Sequence, residues 1–132
     1  MILVDTSVWV DVLRDRGAAR RAALDTALND DDAVLTRFQE LELLQGARDE
    51  REWTLLREYL DVQEYLAAGN DTWANAARIY FDLRRQGKTV RSPVDCCIAQ
   101  IAIDHGVLLL HRDRDFEVIA EVRPLREQRL TW

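Results

Sequence analysis

Cysteine is almost absent from this 132-residue chain, and its two copies, Cys96 and Cys97, are adjacent. Closing so small a ring strains the peptide, so no structural disulfide is expected and both side chains read as buried thiols. Neither has the spaced Cys/His partners of a zinc site. Long apolar runs are also lacking, since none approaches the roughly 18 residues of a membrane span. The opening MILVDTSVWV has no basic stretch and no small-residue cleavage site, so a cytoplasmic protein is expected. Two prolines and five glycines build no linker, and no repeat or low-complexity tract breaks the chain. One domain over residues 1–132 is the expectation. Lysine is nearly missing: Lys88 stands alone among 18 cationic residues, against 24 acids and a net charge of −6. That balance excludes a protein that holds nucleic acid by bulk positive field, so a polyanionic substrate needs local cations. Arginine's planar fork suits bidentate phosphate contact, although a GC-rich genome produces the same excess. No Walker loop, GxGxxG or Ser/His/Asp nucleophile arrangement stands out.

What is present alternates between short apolar runs and helical stripes. Ile2-Leu3-Val4, Ala33-Val34-Leu35 and Val107–Leu110 are wholly apolar, as strands buried on both faces of a parallel sheet are. Thr6 or Ser7 can cap a helix with Val8, Trp9, Val12 and Leu13 on one stripe. Arg20 to Leu28 reads as a second helix. Thr36 with Gln39 forms a capping box opening a third, which ends near Gly46. Helices are also expected over Glu50–Leu60 and Trp73–Arg85, from Ser92-Pro93 to Gly106, and around Asp115–Ala120. A last strand is placed at Val122–Leu125. The pattern implies an α/β sandwich around a mainly parallel sheet.

Acids matter here by position. Asp5 directly follows the first strand and Asp113 follows the third by two residues. In open parallel sheets ligands bind beyond the carboxyl ends of the strands, so both aspartates map to one rim. Asp95 is the third residue of its helix, where it can complete a capping box with Ser92. The helical wheel adds a second reading, because Gln100 and Asp104 lie roughly 140° and 180° away from it. Asp95 then projects among apolar neighbours, and a buried carboxylate needs a cation or donors. Glu42 sits at the edge of the arc of Phe38, Leu41 and Leu44, and periodicity does not separate it from Glu40. Converging carboxylates repel one another unless a hard cation such as Mg²⁺ or Mn²⁺ receives them. His105 reads as a helix-end residue, and His111 borders the rim, where a structural role competes with substrate contact.

These stretches together resemble the VapC-type toxins of the PIN-domain family, over essentially the whole chain. ILVDTSVWV is similar to that family's first strand and its aspartate, Asp5. TRFQELELLQG matches a motif in which a glutamate precedes a glycine by four residues, which selects Glu42. VRSPVDCCIAQIAIDHG carries the third acid, Asp95, and HRDRDFEVIA the fourth, Asp113, with Asp115 as neighbour or substitute. One departure is His111, where many relatives have threonine or serine.

The resemblance implies a PIN-like three-layer sandwich and an endoribonuclease using Mg²⁺ or Mn²⁺. It implies Asp5, Glu42, Asp95 and Asp113 (or Asp115) as ligands, with Thr6 and Ser7 supporting them. In-line hydrolysis would leave a 5′-phosphate and a 3′-hydroxyl on a structured RNA such as a transfer RNA. Arg84, Arg85, Lys88, Arg91, Arg112 and Arg114 are then candidate phosphate contacts. A cognate VapB-like antitoxin and a homodimer or toxin–antitoxin hetero-oligomer are also implied. Three other readings compete. A receiver-like phosphoacceptor domain wants paired acids after its first strand and a late lysine, whereas Asp5 is followed by Thr6 and Lys88 precedes a helix. A metal-dependent phosphatase, or a PIN fold that only binds RNA or protein, are the remaining two.

Overall fold

A computed structural model describes residues 1–132. Four short strands form one parallel sheet: β1 (Ile2–Val4), β2 (Ala33–Val34), β3 (Leu108–His111) and β4 (Glu127–Arg129), in the order β2-β1-β3-β4. Leu3 pairs with Val34 on one side and with Leu109 on the other. Strand alternation divides the apolar side chains between two cores. Leu3, Val34 and Leu109 face α5 (Thr72–Arg85), α6 (Pro93–His105) and α7 (Arg114–Ala120), where they meet Ile79, Leu83, Ile98 and Phe116. Ile2, Val4 and Leu110 face the other way, toward Trp9, Leu24 and Leu60. Those three come from α1 (Thr6–Arg14), α2 (Ala19–Leu28) and α4 (Glu50–Asp61), and α3 (Arg37–Gln45) adds Leu43 to the same core. Helices, sheet and helices make the three layers. No helix is long and apolar enough to cross a membrane.

Two-residue β2 is too short to hold the sheet's edge alone. Leu35 extends it by a parallel bridge to Tyr65, with the Leu35 N–H on Glu64 at 3.1 Å and the Leu66 N–H on Leu35 at 2.8 Å. The Thr36–Gln39 capping box forms as the sequence suggests. The last strand does not lie at Val122–Leu125. Leu125 instead plugs the core beside α6, and β4 is the polar Glu127-Gln128-Arg129. An edge strand pairs through its backbone and leaves side chains in solvent, so apolar residues are no guide to it.

On the side of α6 away from Asp95, Gln100 is buried and donates to Asp104 at 2.8 Å, because α6 is packed between the sheet and α5 along most of its length. Cys96 is fully buried, which pushes its thiol up to about 12, and Cys97 is half-buried; both are free.

Candidate active site

Because every strand runs the same way, the residues that follow them collect at one edge of the sheet. Asp5 leaves β1 with its N–H on Leu110 at 2.9 Å, so it is still in the ladder. It, and neither Thr6 nor Ser7, caps α1. Its Oδ2 accepts the Ser7 N–H at 3.1 Å and the Ser7 hydroxyl at 2.7 Å. Ser7 Oγ in turn accepts the Arg112 N–H at 2.9 Å, which ties the ends of β1 and β3 together. Only 5% of Asp5 is exposed, so its second oxygen lies in the rim and not in bulk solvent.

Glu42 is drawn to the same place by Thr6, whose hydroxyl donates to Oε1 at 3.3 Å. Glu40 is not, for it pairs with Arg37 at 3.0 Å on the surface of α3. The structure thus separates two glutamates that periodicity could not. Asp95 stands at the first turn of α6 but builds no capping box. Ser92 alone caps that helix, accepting the Val94 N–H at 3.1 Å, and the Asp95 carboxylate accepts no hydrogen bond from the protein.

Asp113 caps α7 by accepting the Asp115 N–H at 2.9 Å. Its own N–H donates to Nδ1 of His111 at 3.1 Å. That bond fixes the imidazole tautomer, leaving the proton on Nε2 to face Glu127 at 2.6 Å. His111 is fully buried and stacks at a tilt on Phe116, with ring centres 5.2 Å apart. It therefore holds the Asp113 turn from beneath and does not face substrate.

Asp95, Asp113 and Asp115 each present an oxygen within 4.8 Å of the others. Asp5 and Glu42 lie outside that tight group but share its field. Burial pushes the Asp95 carboxyl up to about 7, and the charges of Asp113, Asp5, Asp115 and Glu42 add to the effect in that order. Glu42 is likewise raised by burial and then by Asp5, with the Thr6 hydroxyl opposing. A half-buried carboxylate with no donor, facing four others, is chemically suited to a hard divalent cation with oxygen ligands. The donor set fits Mg²⁺ or Mn²⁺.

The candidate phosphate contacts fall into two groups. Arg84, Arg85, Arg91 and Arg114 are exposed. Arg84 and Arg85 lie over Tyr80 and Phe81 in the last turn of α5. Lys88 pairs with Glu121, and Arg112 is committed to Asp11 at 2.8 Å, to the Leu130 carbonyl and to the Trp132 ring. Arg91 is unlike the rest. Its guanidinium bonds Asp113, and its backbone N–H reaches Asp115 at 2.9 Å. Sequence reasoning missed this contact and the His111–Glu127 pair. Both join residues from separate elements, and only the unusual histidine gave any signal.

A parallel sheet with acids from two strand ends, the start of α6 and the middle of α3 defines a class that comparison identifies. The PIN domain matches residues 2–122. The chain is 37% identical over 129 residues to VapC ribonuclease Mb1587 of Mycobacterium bovis, with 96% of each chain covered. Ribonuclease VapC11 of Mycobacterium tuberculosis matches at the same identity and coverage. Among solved structures, VapBC2 of Rickettsia felis bound to promoter DNA superposes with a TM-score of 0.79 at 16% identity. That match covers 99% of this chain and 100% of the other, and it shows the shared fold. The chain belongs to the PIN-domain family, in its VapC-type branch.

Proposed function

We propose that this chain is a Mg²⁺- or Mn²⁺-dependent endoribonuclease, the toxin of a type II toxin–antitoxin pair, which stops translation by cutting a structured RNA such as a transfer RNA. The observation that carries the reading is the Asp95 carboxyl, half-buried without a donor among four further acids. Asp5, Glu42, Asp95 and Asp113 hold the metal in this reading, with Asp115 beside them, and Thr6 and Ser7 orient Glu42 and Asp5 through the bonds described. A bound ion supplies Lewis acidity at the phosphodiester and activates water there. The chain's part is to pre-orient the oxygens, since α1 and α7 begin on two of the acids. Exposed Arg84, Arg85, Arg91 and Arg114 offset the repulsion between RNA and the acidic rim, whereas Arg112 and Lys88 serve less because Asp11 and Glu121 already hold them.

The partner is a VapB-like antitoxin, in keeping with fold neighbours that are toxin–antitoxin complexes. A groove of about 450 Å³ beside Glu42, lined by Val10, Leu13, Leu43, Leu55 and Tyr59, offers an apolar tail segment a seat. The net charge of −6 over the whole chain suits a basic partner. The test is cleavage by antitoxin-free protein. RNA should be cut with Mg²⁺ or Mn²⁺, giving 5′-phosphate ends, and chelator should stop it. Mapping 5′ ends in cells after brief induction, beside Asp5→Asn, names the RNA. Equal cutting by Asp5→Asn, or cutting that survives chelation, would end this reading.

A further inference from the structure

Hydrogen bonding leaves most rim carboxylates one free oxygen. Asp5 and Glu42 each have one oxygen held by Ser7 or Thr6 and a second that accepts nothing from the protein, and Asp95 is held at neither. Asp113 differs, for Oδ1 is occupied by the cap of α7 and Oδ2 by the Arg91 guanidinium. Asp115 Oδ2 accepts the Arg91 backbone N–H at 2.9 Å and its Nε at 3.5 Å. The Asp113 oxygen that no backbone group holds is thus the one that Arg91 occupies.

Resting on the metal-dependent reading above, we propose that Arg91 is a built-in competitor of the metal: its guanidinium occupies Asp113 Oδ2, yields it when the ion binds, and is then free to meet an RNA phosphate. The loop geometry permits this without backbone movement. Val90 is buried, Ser92 caps α6 and the Arg91 N–H is anchored on Asp115, yet the Arg91 side chain is 77% exposed. A planar fork beside a divalent cation is repelled, and an incoming phosphate offers it a bidentate partner instead. Metal and arginine therefore exchange places, and the arginine's release is coupled to the ion's arrival.

The experiment is calorimetric titration of antitoxin-free protein with Mn²⁺ alone, for wild type, Arg91→Ala and Arg114→Ala. Arg114 is an exposed neighbour that bonds no rim acid, so its removal reports the general field. Arg91→Ala should bind Mn²⁺ about three- to tenfold more tightly than wild type, as loss of one charge-assisted contact allows. Arg114→Ala, whatever it does to RNA binding, should change Mn²⁺ affinity little. At saturating Mn²⁺, Arg91→Ala should also show a raised KM for RNA. Unchanged or weaker Mn²⁺ affinity in Arg91→Ala, or equal tightening in Arg114→Ala, overturns the competitor role while wild-type binding leaves the metal reading standing. No Mn²⁺ binding by any of the three proteins overturns both.

Discussion

On the outer helices, acids stand one turn from an arginine: Arg21–Asp25, Arg37–Glu40, Arg48–Glu52, Arg57–Asp61 and Arg78–Asp82. At the rim, Asp5, Glu42, Asp95, Asp113 and Asp115 have one paired arginine between them, Arg91, which meets Asp113 and Asp115. The first set is dispersed, solvated and neutralised locally, and each pair contributes little to stability. The second is concentrated and partly buried, which raises its energy wherever no cation is bound. The comparison shows which of the 24 acids are maintained against a physical cost. Such a cost marks a working site more reliably than acid content does.

The contrast breaks most visibly at Asp95. Asp95→Asn should lower RNA cleavage about a hundredfold or more, since even partners of metal ligands are worth 10–100-fold. Single-turnover rates with Mn²⁺ would measure this. In chelated protein the same change should remove a pH dependence. The folded protein keeps a proton on Asp95 up to about 7, whereas the ordinary value is 3.8. Folded protein therefore binds more protons than unfolded protein across that window, and stability should fall as pH rises from about 4 to 7. Melting curves should show that slope in wild type and a flatter one in Asp95→Asn. His111→Ala removes the acceptor for the Asp113 N–H, leaves Glu127 unpaired and opens a void under Phe116. A loss of about 2–4 kcal/mol in denaturant titration is expected, with weaker Mn²⁺ binding. Arg48→Ala tests the solvated set. Its pair with Glu52 should be worth no more than about 0.5 kcal/mol, with cleavage unchanged. A large effect there would erase the distinction between the two kinds of acid.

Much of this was legible before the structure. The apolar triplets gave β1 and the parallel class, because a strand covered on both faces must be apolar throughout. Position after those strands located Asp5 and Asp113. Legibility ended where side chains stop reporting their surroundings. β4 is polar because its backbone does the pairing, and Tyr65 joins the sheet through a single bridge that no periodicity announces. Glu42 and Glu40 were equivalent on the helix and diverge only through Thr6, which is 36 residues from Glu42 in the chain. Family resemblance supplied that choice. The Arg91–Asp113 contact likewise needed two loops brought into register.

Asp5 ends a strand and starts a helix with the same residue, and this bears on how an inert version of the protein can be prepared. An asparagine there retains an amide oxygen to receive the Ser7 donors, and asparagine begins helices as well as aspartate does. Alanine would unseat the first turn of α1 at about 1 kcal/mol. Charge and scaffold can thus be uncoupled by exchanging one oxygen for nitrogen, which yields a stand-in suited to testing capture of the proposed antitoxin or RNA.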